Sequence, residues 1–123
     1  MPKVYLWDAS LVPGPGPRFE NLIALHLLKL VHYLQDREGF DVELHYLRDR
    51  AGHEVDFLVT SGKKPWFAVE AKLTASGVDP SLVYFRERLK IPWVYQVGME
   101  EVPDVEEDGI RSLPARQFLG ALV

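Results

Sequence analysis

At 123 residues, 47% of them apolar, the chain has the size and composition of one globular domain, and it lacks cysteine, which excludes disulfide frameworks and thiolate metal sites. Its net charge of −4 argues against a uniformly basic nucleic-acid binder. That sign comes from one segment: Gly98 to Gly109 (GMEEVPDVEEDG) holds six acidic residues and no basic one, while elsewhere 14 basic residues face 12 acidic ones.

The amino terminus, MPKVYLWD, lacks the basic-then-apolar layout of a signal peptide. No window approaches the ~18 consecutive apolar residues of a membrane helix. A cytoplasmic protein with no membrane partner is expected. Lys3 to Trp7 reads as a short strand or edge segment. Pro13 to Pro17 (PGPGP) reads as a bend or linker, since alternating proline and glycine sustains neither helix nor ladder. Residues 1–17 are therefore expected to be an N-terminal strand and linker.

Phe19 to about Leu34 is the strongest predicted helix, rich in Leu and Ala without internal Gly or Pro. Apolar residues occupy most of its circumference, so burial on nearly all sides is expected. Gly39 is its candidate terminator. Three short strands follow: Val42–Arg48, Val55–Thr60 and Trp66–Lys72. Asp79-Pro80 is a helix start, Asp as cap and Pro in the first turn, for a helix to about Lys90. Trp93–Val97 is a fourth strand. An acidic loop over 98–109, a short segment near Ile110 and a helix from Pro114 to about Leu122 complete one domain over 1–123. The fold class is α/β: a small mixed four-stranded sheet flanked by helices.

Three charged residues interrupt the apolar strands: Asp56, Glu70 and Lys72. Alternation puts Trp66, Ala68, Glu70 and Lys72 on one face, and sets Asp56 with Leu58 opposite Val55, Phe57 and Val59. A three-residue loop, Gly62-Lys63-Lys64, would place Asp56 across from Glu70; two or four residues would turn the charges apart. The three-residue loop is expected. Two carboxylates opposed at ~5 Å repel and raise a pKa, and a divalent cation removes that repulsion. Hard oxygen ligands suit Mg²⁺ or Mn²⁺. Lys72 beside them offers fixed positive charge near developing negative charge. Glu20 shares a helical stripe with Ala24, Leu27 and Val31, so it faces inward from the first turn as a third acid. The blander alternative is a solvated Glu70–Lys72 ion pair with a dipole-stabilising Glu20.

The motifs KVYLWDASL, RFENLIALHLL, LHYLRDRAGHEVDFLV and FAVEAK follow one another between Lys3 and Lys72. Asp56, thirteen residues, then Glu70-Ala71-Lys72 resembles the PD-(D/E)xK nuclease superfamily. More specifically, the chain resembles the carboxyl-terminal domain of uncharacterised bacterial and archaeal AAA-type ATPases. The resemblance implies a restriction-endonuclease-like fold, with Glu20, Asp56 and Glu70 at the acidic metal positions, Lys72 as catalytic lysine and Gln96 lining the cleft. It also implies an ATPase module that this chain lacks, since no G-x-x-x-x-G-K-[ST] occurs, and SGKK is not one.

The expected function is Mg²⁺- or Mn²⁺-dependent hydrolysis of DNA. The alternative is a non-catalytic interaction module that docks an ATPase domain or forms a homodimer through Val4, Leu6 and Trp7. The histidines read as surface or packing residues, Trp66 and Trp93 as core, and Ser10 has no triad partners.

Overall fold

A computed structural model of the protein describes residues 3–5, 15–73, 77–99 and 102–122. Ser10, Leu6, Trp7, Pro13 and Gly14 lie outside the described residues. The elements in order are β1 (Lys3–Tyr5), α1 (Pro15–Glu38), β2 (Val42–Arg48), β3 (Glu54–Ser61), β4 (Lys64–Lys72), α2 (Pro80–Leu89), β5 (Trp93–Gly98), β6 (Val105–Glu107), β7 (Ile110–Pro114) and α3 (Ala115–Ala121).

Among the described residues the sheet has seven strands rather than the four expected, in the order β1-β2-β3-β4-β5-β7-β6. The four central strands stand where periodicity placed them. The other three are short edge or near-edge segments. β1 pairs antiparallel with β2, and β6 and β7 form a hairpin inside and just after the acidic segment. The segment over 98–109 is therefore partly a strand, all three of its β6 residues exposed. A three-residue edge strand carries no pattern of its own and exists through its neighbour's ladder.

The first half of the sheet is an antiparallel meander. β4, β5 and β7 run parallel, with α2 making the crossover between β4 and β5. α1 and α3 cover one face, burying Phe19, Ile23, Leu27 and Val31 against Phe57, Val59, Val69 and Val97. α2 covers the other, packing Leu82 and Phe85 against Leu47, Leu58, Ala68 and Val94. α1 starts at Pro15, earlier than expected, because prolines are tolerated where a helix's first N–H groups lack partners anyway. Its burial is narrower than expected: Leu22, Leu25 (55% exposed) and Tyr33 lie on the outer side. One helical layer covers that sheet face, so only the stripe toward the sheet is enclosed. No helix among the described residues is long and apolar enough to cross a membrane.

Two bulges set the register. The β3–β4 turn has two residues, Gly62 and Lys63, both at positive φ (59 and 64) as a type I′ hairpin turn requires. Ser61 lies across from Lys64 and Thr60 from Pro65, but Val59 lies across from Phe67. Trp66 is thus an extra residue in β4, and the bulge restores the register that the three-residue loop was expected to supply. It also turns Trp66 toward the α1 side rather than the face of Ala68. Replacing Gly62 by valine puts a β-branched side chain at positive φ. The expected result is a loss of about 1–2 kcal/mol in urea unfolding, with the sheet's other end unaffected.

The second bulge is in β3. Leu58 lies across from His45, yet Val55 lies across from Leu47. Asp56 and Phe57 therefore oppose the single residue Tyr46. This moves Val55 to the α2 side with Leu58, where strict alternation had placed it with Phe57.

Candidate active site

Pairing between β3 and β4 runs as far as Phe57 and Val69. Beyond it two carboxylates engage backbone groups across the gap. The Asp56 N–H donates to Glu70 Oε1 at 2.9 Å, and the Ala71 N–H donates to Asp56 Oδ2 at 2.8 Å. Each acid thereby satisfies a backbone donor on the other strand. The bulge at Asp56 supplies the re-aiming, a common use of bulges. The two carboxylates meet, as the sequence requires of a shared site, and Glu70 is buried at 8% exposure.

Their electrostatics follow from that placement. Burial, then the charge of Asp56, pushes the Glu70 carboxyl well above the usual carboxylate range. Burial raises Asp56 too, although the Ala71 N–H bond pulls the other way. Two neighbouring buried acids cannot both ionise cheaply, so without a cation the pair shares a proton at neutral pH. Glu20 is pushed up to about 7 by burial and by the charges of Asp56 and Glu54, against the pull of Lys72. Helix α1 begins at Pro15, so Glu20 is not in its first turn as expected, and the first turn carries no acid. The dipole advantage that the sequence suggested is correspondingly weak, because it fades within one turn.

Lys72 lies two residues beyond Glu70 on β4. Its Nζ donates to Asp79 Oδ2 at 2.9 Å and stands 3.9 Å from Glu70 Oε2. Burial is the largest single influence and opposes its charge, but the Asp79 bond and the charges of Asp79, Glu70 and Asp56 together outweigh it and raise the pKa. Asp79 is lowered despite burial, by Lys72 and by the Ser81 N–H it caps. Gln96 sits beside Glu70 in the parallel β4–β5 register. Its Oε1 accepts the Asp79 N–H at 2.9 Å and its Nε2 donates to the Gly77 carbonyl at 3.0 Å. Asp56, Glu70, Gln96 and Ser112 thus form a polar row crossing β3, β4, β5 and β7. A cavity of about 130 Å³ opens beside it, with Lys72, Gln96 and Ser112 in its wall.

Compared with known families, residues 15–118 match the domain of unknown function DUF4143, and that stretch takes in all of these residues. The chain belongs to the DUF4143 family. Neither the curated proteins nor the solved structures give a match to it.

Within this DUF4143 chain the structure brings Asp56, Glu70 and Lys72 together and sets Glu20 near enough for its charge to be felt. Among the described residues, however, no three His, Asp or Glu side chains converge as a metal-holding group. The two carboxylates fit a hard divalent cation nonetheless. Mg²⁺ typically takes one or two carboxylates and completes its shell with water and substrate phosphate. Burial with mutual repulsion is what such a cation relieves.

Asp79 is the residue of the DUF4143 site that sequence reasoning missed. Asp-Pro was read as a helix cap, and it is one, with Pro80 in the first turn. A carboxylate has two oxygens, and only one is needed for the cap. The second serves Lys72. Trp93, expected in the core, is 59% exposed at the start of β5.

Proposed function

We propose that this chain is a metal-dependent nuclease-like domain of the PD-(D/E)xK type, acting in the cytoplasm on DNA phosphodiester bonds. Its fold would be restriction-endonuclease-like, related to the carboxyl-terminal domains of AAA-type ATPases. The observation that carries this reading is the Asp56–Glu70 pair, interlocked across the β3–β4 gap with Lys72 beside it.

Asp56 and Glu70 would hold Mg²⁺ or Mn²⁺, which supplies Lewis-acid stabilisation of charge on the phosphoryl oxygens. Holding the cation would displace the proton that Glu70 and Asp56 share. With one N–H on Asp79, the Lys72 ammonium would offer its remaining donors to the attacking water or a phosphoryl oxygen. The water oxygen bonds to phosphorus and gives up a proton, one P–O ester bond breaks, and the leaving oxygen takes up a proton in its place. Glu20 borders the site with a pKa of about 7, suited to exchanging protons near neutral pH.

The test is incubation with single-stranded, duplex and branched DNA in Mn²⁺, Mg²⁺ or chelator. Cleavage of at least one form with metal, and none with chelator, is expected. No cleavage of any form by folded protein would favour a second reading, a non-catalytic module of the same fold docking an ATPase domain or a second copy. The exposed Leu22, Leu25 and Tyr33 on the outer side of α1 favour that alternative.

A further inference from the structure

A lysine ammonium sits on a flexible four-carbon stem, and its position is set by what it bonds. The Lys72 side chain is 32% exposed, so packing alone does not hold it. Its short contact is Asp79 Oδ2 at 2.9 Å; Glu70 Oε2 is a full ångström farther.

Asp79 is in turn held from several sides, the Glu70 carboxyl among them. Oδ1 accepts the Ser81 N–H at 2.9 Å, Oδ2 takes Lys72, and the backbone N–H goes to Gln96 Oε1. Gln96 is only 6% exposed and uses its amide nitrogen on the Gly77 carbonyl. One buried amide therefore fastens the 77–79 segment by both a donor and an acceptor. It does so from β5, directly beside Glu70.

A helix cap alone does not account for this arrangement. Asparagine caps as well as aspartate. What aspartate adds is a negative charge, and it lies against Lys72. We infer that Asp79, braced by Gln96, is the positioning residue for Lys72, fixing the ammonium beside the Asp56–Glu70 pair. The inference rests on the nuclease reading for its catalytic consequence, but its geometry can be tested without cleavage.

Two measurements separate the questions. In the first, amine acylation in chelator is followed by mass spectrometry at Lys72, Lys63 and Lys64. The latter two are exposed in the β3–β4 hairpin and serve as references. Lys72 is expected to react several-fold more slowly than either in the native protein. Asp79→Asn should bring it up to them without lowering the melting temperature appreciably, because the cap is kept. Gln96→Met should have the same effect in part. Equal Lys72 labelling in native protein and Asp79→Asn overturns the inference, whatever the protein does to DNA.

The second is single-turnover cleavage in Mn²⁺. Asp79→Asn is expected to lower the rate about 10- to 100-fold through misplacement of the lysine. Affinities for Mn²⁺ and DNA should stay at native values. Added to Lys72→Ala, it should cost nothing further. A native cleavage rate in Asp79→Asn overturns the inference and leaves the nuclease reading standing. Absence of cleavage in the native protein overturns the nuclease reading, while the labelling result still decides whether Asp79 holds Lys72.

Discussion

Asp56→Asn and Glu70→Gln are each expected to lower Mn²⁺-supported DNA cleavage by about a thousandfold or more, with the double variant no worse than either alone. The reason is that both carboxylates belong to one site. A cation held by two anionic oxygens is lost when either becomes an amide, and groups acting as a unit give non-additive losses. The substitutions preserve size. Glu70→Gln also keeps the oxygen that accepts the Asp56 N–H, so the strand gap stays closed. Lys72→Ala is expected to lose cleavage while sparing Mn²⁺ binding, since an ammonium is no ligand. Cleavage rates and circular dichroism on the same preparations check this. Losses that multiply in the double variant, or that track unfolding, would contradict a shared site.

The second large effect concerns pH and cation together. Glu20, Asp56 and Glu70 all have folded-state pKa values raised above those of the unfolded chain. The folded state therefore binds protons more tightly, and that contribution to stability is fully present below the unfolded values. For Glu20 it is lost as pH rises from 4.5 through about 7. Asp79 and Asp104 are lowered, so their contributions fade only in acid below this window. Lys72 is raised, so its contribution fades only above 10.5. Between pH 5 and 8 the raised carboxyls thus set the sign, and in chelator the melting temperature should fall across that range.

Mn²⁺ should reverse the fall. At ten times its dissociation constant a ligand specific for the folded state adds about 1.4 kcal/mol. In a domain of this size that is a shift of roughly 3–7 °C. The shift should be larger at pH 8 than at pH 5, because cation and proton compete for the same oxygens. Glu70→Gln should melt no lower than native protein in chelator at pH 8, since a neutral amide can lie beside Asp56 without the proton that Glu70 must hold there, and should show no Mn²⁺ shift. Differential scanning calorimetry at the two pH values reads both terms. Identical melting with Mn²⁺ and chelator throughout would count against the cation site.

Much of this was legible in the chain because period and chemistry agreed. The central strands β2 to β5 alternate or run apolar, and α2 announces itself by Asp79-Pro80. The contact of Asp56 with Glu70 was also legible, but for the wrong local reason. A two-residue turn with a bulge at Trp66 gives the same register as a three-residue loop. Bulges answer to packing on both sheet faces, and in residues 64–67 the one local signal was Pro65, which cannot donate to a central ladder. The bulge at Asp56–Phe57 was hidden for the same reason, and with it the side of the sheet that Val55 takes. β6 was hidden because its acidic residues pair only once β7 is in place. Asp79 was seen in one role because its second partner, Lys72, belongs to the preceding element and reaches it only once the chain folds back between them.

Asp56 and Glu70 are proposed to hold one divalent cation between them. A crystal of the protein grown or soaked with Mn²⁺, with anomalous difference density measured at the manganese edge, tests it most directly. The predicted result is a single strong peak within coordination distance, about 2.0–2.3 Å, of one oxygen from each carboxylate, absent from Glu70→Gln. Density confined to other positions, or no peak in crystals where both carboxylates are ordered, would contradict it.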